Sequence, residues 1–214
     1  MKRVLWLGMA FVAAVSLSGC LLMERADLHI SLKSPTLITV TMSGIAVNTV
    51  MLERKAAGKR VDEVARLAET RDLFSMMAGK DAIRRIAHID GARFAVETSG
   101  DMTSKLGRFT IFEIVKSKYG TGSSGTFWVV SVSKVGSNTF KEYDKFDVRL
   151  NGRLCATPLP EMVLVSNSPI SPEKIRLDGV DAWCLPLNQN NLATDQYLAF
   201  YYPGETKISS PQSQ

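Results

Sequence analysis

The chain has 214 residues with a formal net charge of +5, and 45% of it is hydrophobic and 22% charged. This composition excludes collagenous, low-complexity and multi-span membrane classes and is that of a globular protein long enough to bury a core. Cations and anions interleave, as over residues 53–71, instead of forming the basic run that a phosphate backbone requires, so nucleic acid is not an expected partner.

The N-terminus reads Met1-Lys2-Arg3, followed over residues 4–17 by an apolar stretch broken only by Gly8 and Ser16. That is the charged and apolar pattern of a secretory signal. It is too short to span a bilayer, which takes about 20 apolar residues, because Glu24, Arg25 and Asp27 follow closely. Behind it stands Leu17-Ser18-Gly19-Cys20, which resembles the lipobox of bacterial lipoproteins. The resemblance covers only residues 1–20. It implies removal of 1–19, diacylglyceryl attachment to the Cys20 thiol and acylation, for example with palmitate, of the new amino group. Each buried CH₂ contributes about 0.8 kcal/mol, so two or three chains on one residue make a stable anchor. Losing Lys2 and Arg3 takes the charge from +5 to +3. Leu21 follows the cysteine where an Asp favours inner-membrane retention, so the resemblance implies the periplasmic face of the outer membrane.

A single α+β domain is expected over residues 20–203, with a largely antiparallel sheet, one or two helices packed on a face, and C-terminal hairpins joined by a disulfide. Alternation over 26–43, in Leu28, Ile30, Leu32 and then Leu37, Ile38, Val40, Met42, predicts two strands broken at Ser34-Pro35. Residues 48–60 fit either a strand end or a helix start. Val61, Val64, Ala65, Ala68, Leu73, Met76 and Met77 follow helical spacing up to Gly79, and a short second helix is expected over 81–87 before Asp90-Gly91. Strands are then predicted over 93–98, 109–116, 126–135 and 146–150. Asn151-Gly152 and Asp178-Gly179, each flanked by apolar alternation, read as hairpin turns. Beyond 204 the composition turns polar, as a frayed tail would.

Cys155 and Cys184 are the only cysteines besides Cys20, and in an exported chain such a pair is most simply a disulfide. A redox pair would favour CxxC spacing, and a zinc site would need further soft or imidazole ligands. The glycines of Gly120-Thr121-Gly122-Ser123-Ser124-Gly125 fit GxGxxG, yet Phe127, Trp128, Val129, Val130 and Val132 announce a strand where a dinucleotide fingerprint needs a helix. His29 and His88 lack metal-ligand spacing, and no GxSxG elbow nominates a serine. Asp178 with Asp181, and Asp144 with Asp147, read as turn carboxylates. Met51, Met76, Met77, Trp128, Trp183, Tyr197, Phe200, Tyr201 and Tyr202 fit either a core or an exposed contact surface.

The expected function is that of a non-catalytic lipoprotein anchored through Cys20 that binds a protein partner in an envelope assembly. A small-ligand or lipid-binding domain, or a hydrolase without a recognisable motif, are the alternatives. The residues nominate no cofactor, metal or catalytic group.

Overall fold

The computed structural model describes residues 21–34, 37–78, 80–103, 113–118, 126–132, 137–165, 170–194 and 196–201. The leader, Cys20, Gly79, the glycine loop over 120–125, Tyr202 and the 204–214 tail lie outside the described residues.

The N-terminal alternation forms β1 (Leu21–Leu32) and β2 (Leu37–Asn48), paired antiparallel from Leu21 opposite Asn48 to Leu32 opposite Ile38. A side-chain period of two sends Leu28, Ile30 and Leu32 to a buried face, while Asp27, His29 and Ser31 stay half-buried on the other. The 48–60 ambiguity resolves as both: β2 ends at Asn48 and α1 (Thr49–Ala56) begins immediately. Asn48 Oδ1 accepts the Met51 N–H at 3.2 Å, which caps the helix, and Asn48 Nδ2 donates to Thr70 Oγ1 at 3.3 Å on α2 (Glu63–Ala78). Asn48 and Thr70 are both fully buried. Asn48→Ala is therefore expected to lower stability by about 2 kcal/mol, through the lost cap and the stranded threonine hydroxyl. Thr70→Val, which loses only the second bond, should cost less in the same urea titration.

Residues 81–87 are not a helix. A single 3-10 turn at Lys80–Ala82 leads into β3 (Ile83–Asp90), which pairs with β4 (Arg93–Thr103), Ile86 lying opposite Val96. The spacing of Ile83, Ile86 and Ala87 imitates a helix, and ladder pairing overrides it. After β5 (Glu113–Lys118) and β6 (Thr126–Val132) comes α3 (Ser137–Lys145), then β7 (Asn151–Thr157), β8 (Val163–Val165), β9 (Glu173–Leu177), β10 (Val180–Asn188) and β11 (Gln196–Tyr201). The strand expected over 146–150 is the exit from α3. Asp147, at φ 51°, lets its own N–H reach Asp144 O at 3.2 Å and the Val148 N–H reach Tyr143 O at 3.0 Å, so the last carbonyls of the helix are satisfied.

One sheet has seven strands in the order β3-β4-β2-β1-β7-β10-β9, and a second has four in the order β5-β6-β11-β8. The larger sheet is mixed, because β1 and β7 run parallel while its other neighbours are antiparallel. With eleven strands and three helices among the described residues, the class is broadly α+β. Leu198 and Phe200 of β11, Tyr143 of α3 and Met51 of α1 share a core with Ile30, Leu154 and Leu185 of the large sheet. Phe74 of α2 packs on Ala46 and Val96. The reverse face carries Thr39, Thr41 and Ser43 beside Ser31, His29 and Asp27 in register.

Two C-terminal expectations change. Asp178 and Gly179, at φ 50° and 81°, do turn β9 into β10, with Leu177 opposite Val180. Asn151-Gly152 makes no turn and lies within β7. Gly152 is opposite Ala26 across the parallel ladder, where a Cβ would fall 2.1 Å from Ala26 O, so the glycine serves close strand approach. Cys155 and Cys184 form the disulfide, with Cα atoms 4.0 Å apart. They are direct partners in the β7–β10 ladder, so the bond joins adjacent strands of one sheet and does not staple two hairpins.

Candidate functional site

The β1–β2 turn, the β7–β8 connection and the β9–β10 hairpin meet at one end of the large sheet around a cavity of about 1080 Å³. The connection is shaped by its sequence. Pro158 and Pro160 restrict it, Glu161 turns it at φ 70°, the Met162 N–H returns to Leu159 O at 3.2 Å, and Leu159 and Met162 are buried anchors. That leaves Glu161 on the rim and Val163 exposed. On the opposite wall, Lys174 Nζ lies 2.7 Å from Asp181 Oδ2 and 5.9 Å from the centroid of the Trp183 ring. The Lys174 hydrogen bond holds the Asp181 carboxyl below its ordinary pKa. Trp183 is half-buried against the core, and Val180 is 52% exposed. The site is thus an apolar floor bordered by Lys33, Glu161, Lys174, Arg176 and Asp181, beside β9, which among the described residues pairs with β10 alone. Charges on a short edge strand discourage indiscriminate pairing and give a specific partner something to read.

A second feature lies on the polar face. His29 Nε2 is 2.7 Å from the oxygen of Thr157, a buried residue of β7. Burial lowers the His29 pKa below its ordinary 6.5, with Asp178 opposing that and Lys33 reinforcing it. The folded protein therefore binds fewer protons at His29 than the unfolded chain does below that pH. Stability is fully present above pH 6.5 and declines as pH falls toward the folded-state pKa. Comparing urea titrations at about pH 7 and about pH 5 should show this decline, and His29→Gln should make it shallower.

The other sequence candidates disperse. His88, on β3, meets Gly91 O at 3.1 Å and packs against the Phe94 ring at a tilt of 54°, away from His29 on β1. Asp178 sits in the β9–β10 turn, while Asp144 and Asp147 pair with Arg149 at 2.8 and 3.8 Å. Phe200 and Met51 are core, Tyr201 is half-buried, and among the aromatic candidates with described side chains Trp183 alone reaches the cavity. Trp128, Tyr197, Met76 and Met77 are described by their backbone only. Of the GxGxxG stretch over 120–125 only the flanking strands are described, and these, β5 and β6, pair antiparallel through Lys118 opposite Thr126. Among the described residues no group of three or more metal-ligating side chains converges, and no helix is long and apolar enough to cross a membrane. Sequence reasoning missed the 158–163 connection, whose paired prolines and buried Leu159 and Met162 are its only local signal.

No protein-family model matches this chain, and a search of curated proteins finds no significant match.

Proposed function

We propose that this protein is a bacterial lipoprotein, held by acylated Cys20 at the periplasmic face of the outer membrane, which acts by binding and not by catalysis. Its cavity at the Trp183 end of the sheet takes a protein partner of a cell-envelope assembly. The observation that carries this reading is the polarity of β1. The strand begins at Leu21, beside the lipobox cysteine, and ends at Leu32 on the cavity, about 36 Å away at the usual strand rise. An anchor at one end and an open, aromatic, charge-rimmed surface at the other suit a protein that presents a docking site to the periplasm.

The test places a photoreactive residue at Val180 and, as control, at the exposed Arg71 on α2, which lines no part of the cavity. A saturable envelope adduct is expected from position 180, none from position 71, and none from either when Cys20→Ala removes the anchor. Equal labelling at both positions would remove the cavity from the reading. A smaller ligand is the second reading, favoured by the apolar floor of Leu159, Met162 and Trp183 and a volume near the upper range of ligand pockets. A co-purifying lipid or small molecule that Trp183→Ala releases, seen by native mass spectrometry, would select it.

A further inference from the structure

The end of the sheet opposite the cavity carries a cluster of four exposed cations that have no ion-pair partner among the described residues, set beside paired groups of both signs. Leu22, Val47, Arg93 and Asp90 form one row across β1, β2, β4 and β3, so the start of β1, the end of β3 and the start of α1 share this end. The α1–α2 connection runs there too, since Glu63 at the head of α2 lies 3.7 Å from His88 on β3. In sequence the region alternates in sign. In the structure the nearby acids have other partners: Glu53 has Lys145 at 2.8 Å, Glu24 and Asp90 have Arg93 at 2.7 and 3.9 Å, Asp144 and Asp147 have Arg149, Asp62 has the Val64 and Ala65 N–H groups at 3.1 Å, and Glu63 has the His88 imidazole. Arg54, Lys55, Lys59 and Arg60 are exposed, and their side chains make no hydrogen bond or ion pair among the described residues. Beside them stand two exposed apolar side chains, Val64 at 80% and Ile89 at 48%.

We propose that this end of the domain rests on anionic lipid headgroups, with Arg54, Lys55, Lys59 and Arg60 against the phosphates and Val64 and Ile89 at the interface. The inference rests on the anchor reading, because acylated Cys20 immediately precedes Leu21 and would bring this end, and no other, to the bilayer. Unpaired cations held within a Debye length of an anionic surface are attracted to it, and exposed apolar side chains add interfacial affinity. The contact would orient β1 away from the membrane and hold the Trp183 cavity outward, where a single flexible anchor would let the domain topple.

The test uses the full acylated protein on vesicles of phosphatidylcholine alone and of phosphatidylcholine with phosphatidylglycerol in equal parts, with lysine acetylation read by mass spectrometry. Lys55 and Lys59 are expected to react about tenfold more slowly on the anionic vesicles, while Lys33 at the cavity end reacts equally on both. Added salt, or the Arg54→Gln/Arg60→Gln variant, should reduce the difference, with Lys33 reporting an intact fold. Flotation with both vesicles but equal Lys55 and Lys59 reactivity would overturn the headgroup contact and leave the anchor standing. Absence of acyl mass on the Cys20 peptide together with failure to float would overturn the anchor, and the inference with it.

Discussion

Gly152→Ala is expected to destabilise the domain by about 3 kcal/mol, the upper end of what overpacking costs. The added Cβ would fall 2.1 Å from Ala26 O, 2.7 Å from its carbonyl carbon and 2.9 Å from Ala26 N. All three are backbone atoms of a central strand, so no rotamer change relieves the clash. The strands must separate by about 1 Å, which stretches ladder hydrogen bonds that each contribute about 1 kcal/mol. Because β7 joins β1 on one side and β10 on the other, with Gly152 also opposite Leu187, the disturbance reaches the strand that carries half of the disulfide. Gly100→Ala is the control. It lies in β4 of the same sheet, and its nearest neighbour would be the Ala82 side chain at an ordinary 3.6 Å. Urea titration should leave Gly100→Ala within about 0.5 kcal/mol of the parent. Equal losses at the two sites would show that β-propensity, and not the close approach to Ala26, sets the cost.

Local pattern made the strands legible where burial alternates. Leu28, Ile30 and Leu32 announced β1 because its two faces meet different surroundings, and Asp178-Gly179 announced a turn because both residues adopt positive φ. The same chemistry misled at Asn151-Gly152, since a glycine suits close backbone approach as well as a turn, and a dipeptide does not distinguish them. Helix α3 escaped notice because its sequence is mostly polar. Its place is fixed by Tyr143, whose hydroxyl accepts the Met23 N–H at 3.2 Å from a residue 120 positions away. Burial pushes the Tyr143 phenol up to about 12, against the effect of that hydrogen bond, so it stays protonated through the physiological range. The β1–β7 ladder was equally hidden, because a parallel pairing across the length of the chain leaves no local trace. The candidate site draws on three separate connections, so only Trp183 and Asp181 could be named beforehand, and Asp181 as a turn carboxylate, while the four unpaired cations became visible only once their acidic sequence neighbours had found other partners.

Cys155→Ala/Cys184→Ala is expected to lower stability by about 3 kcal/mol, a shift of roughly 1.5 M in the urea midpoint for a domain of this size. The cross-link spans 29 residues, and its loss returns the closure entropy of that loop to the unfolded ensemble. Both half-cystines are buried beside Ala182, so alanine adds no polar group to this small cluster, and the β7–β10 ladder keeps its other five registered pairs. The native topology should therefore survive while its margin shrinks. The loop is also where the candidate site lies: Leu159, Met162, Lys174, Val180 and Trp183 all fall between the two cysteines, and only the β1–β2 turn contributes from outside. Limited proteolysis of the double variant should cut first within 158–173, ahead of any cut in β1 or β2, and adduct formation from position 180 should fall with it. A midpoint shift without that local opening would mean that the disulfide acts on the unfolded chain alone. Opening of the loop would tie the integrity of the candidate site to the oxidised state of the cysteine pair.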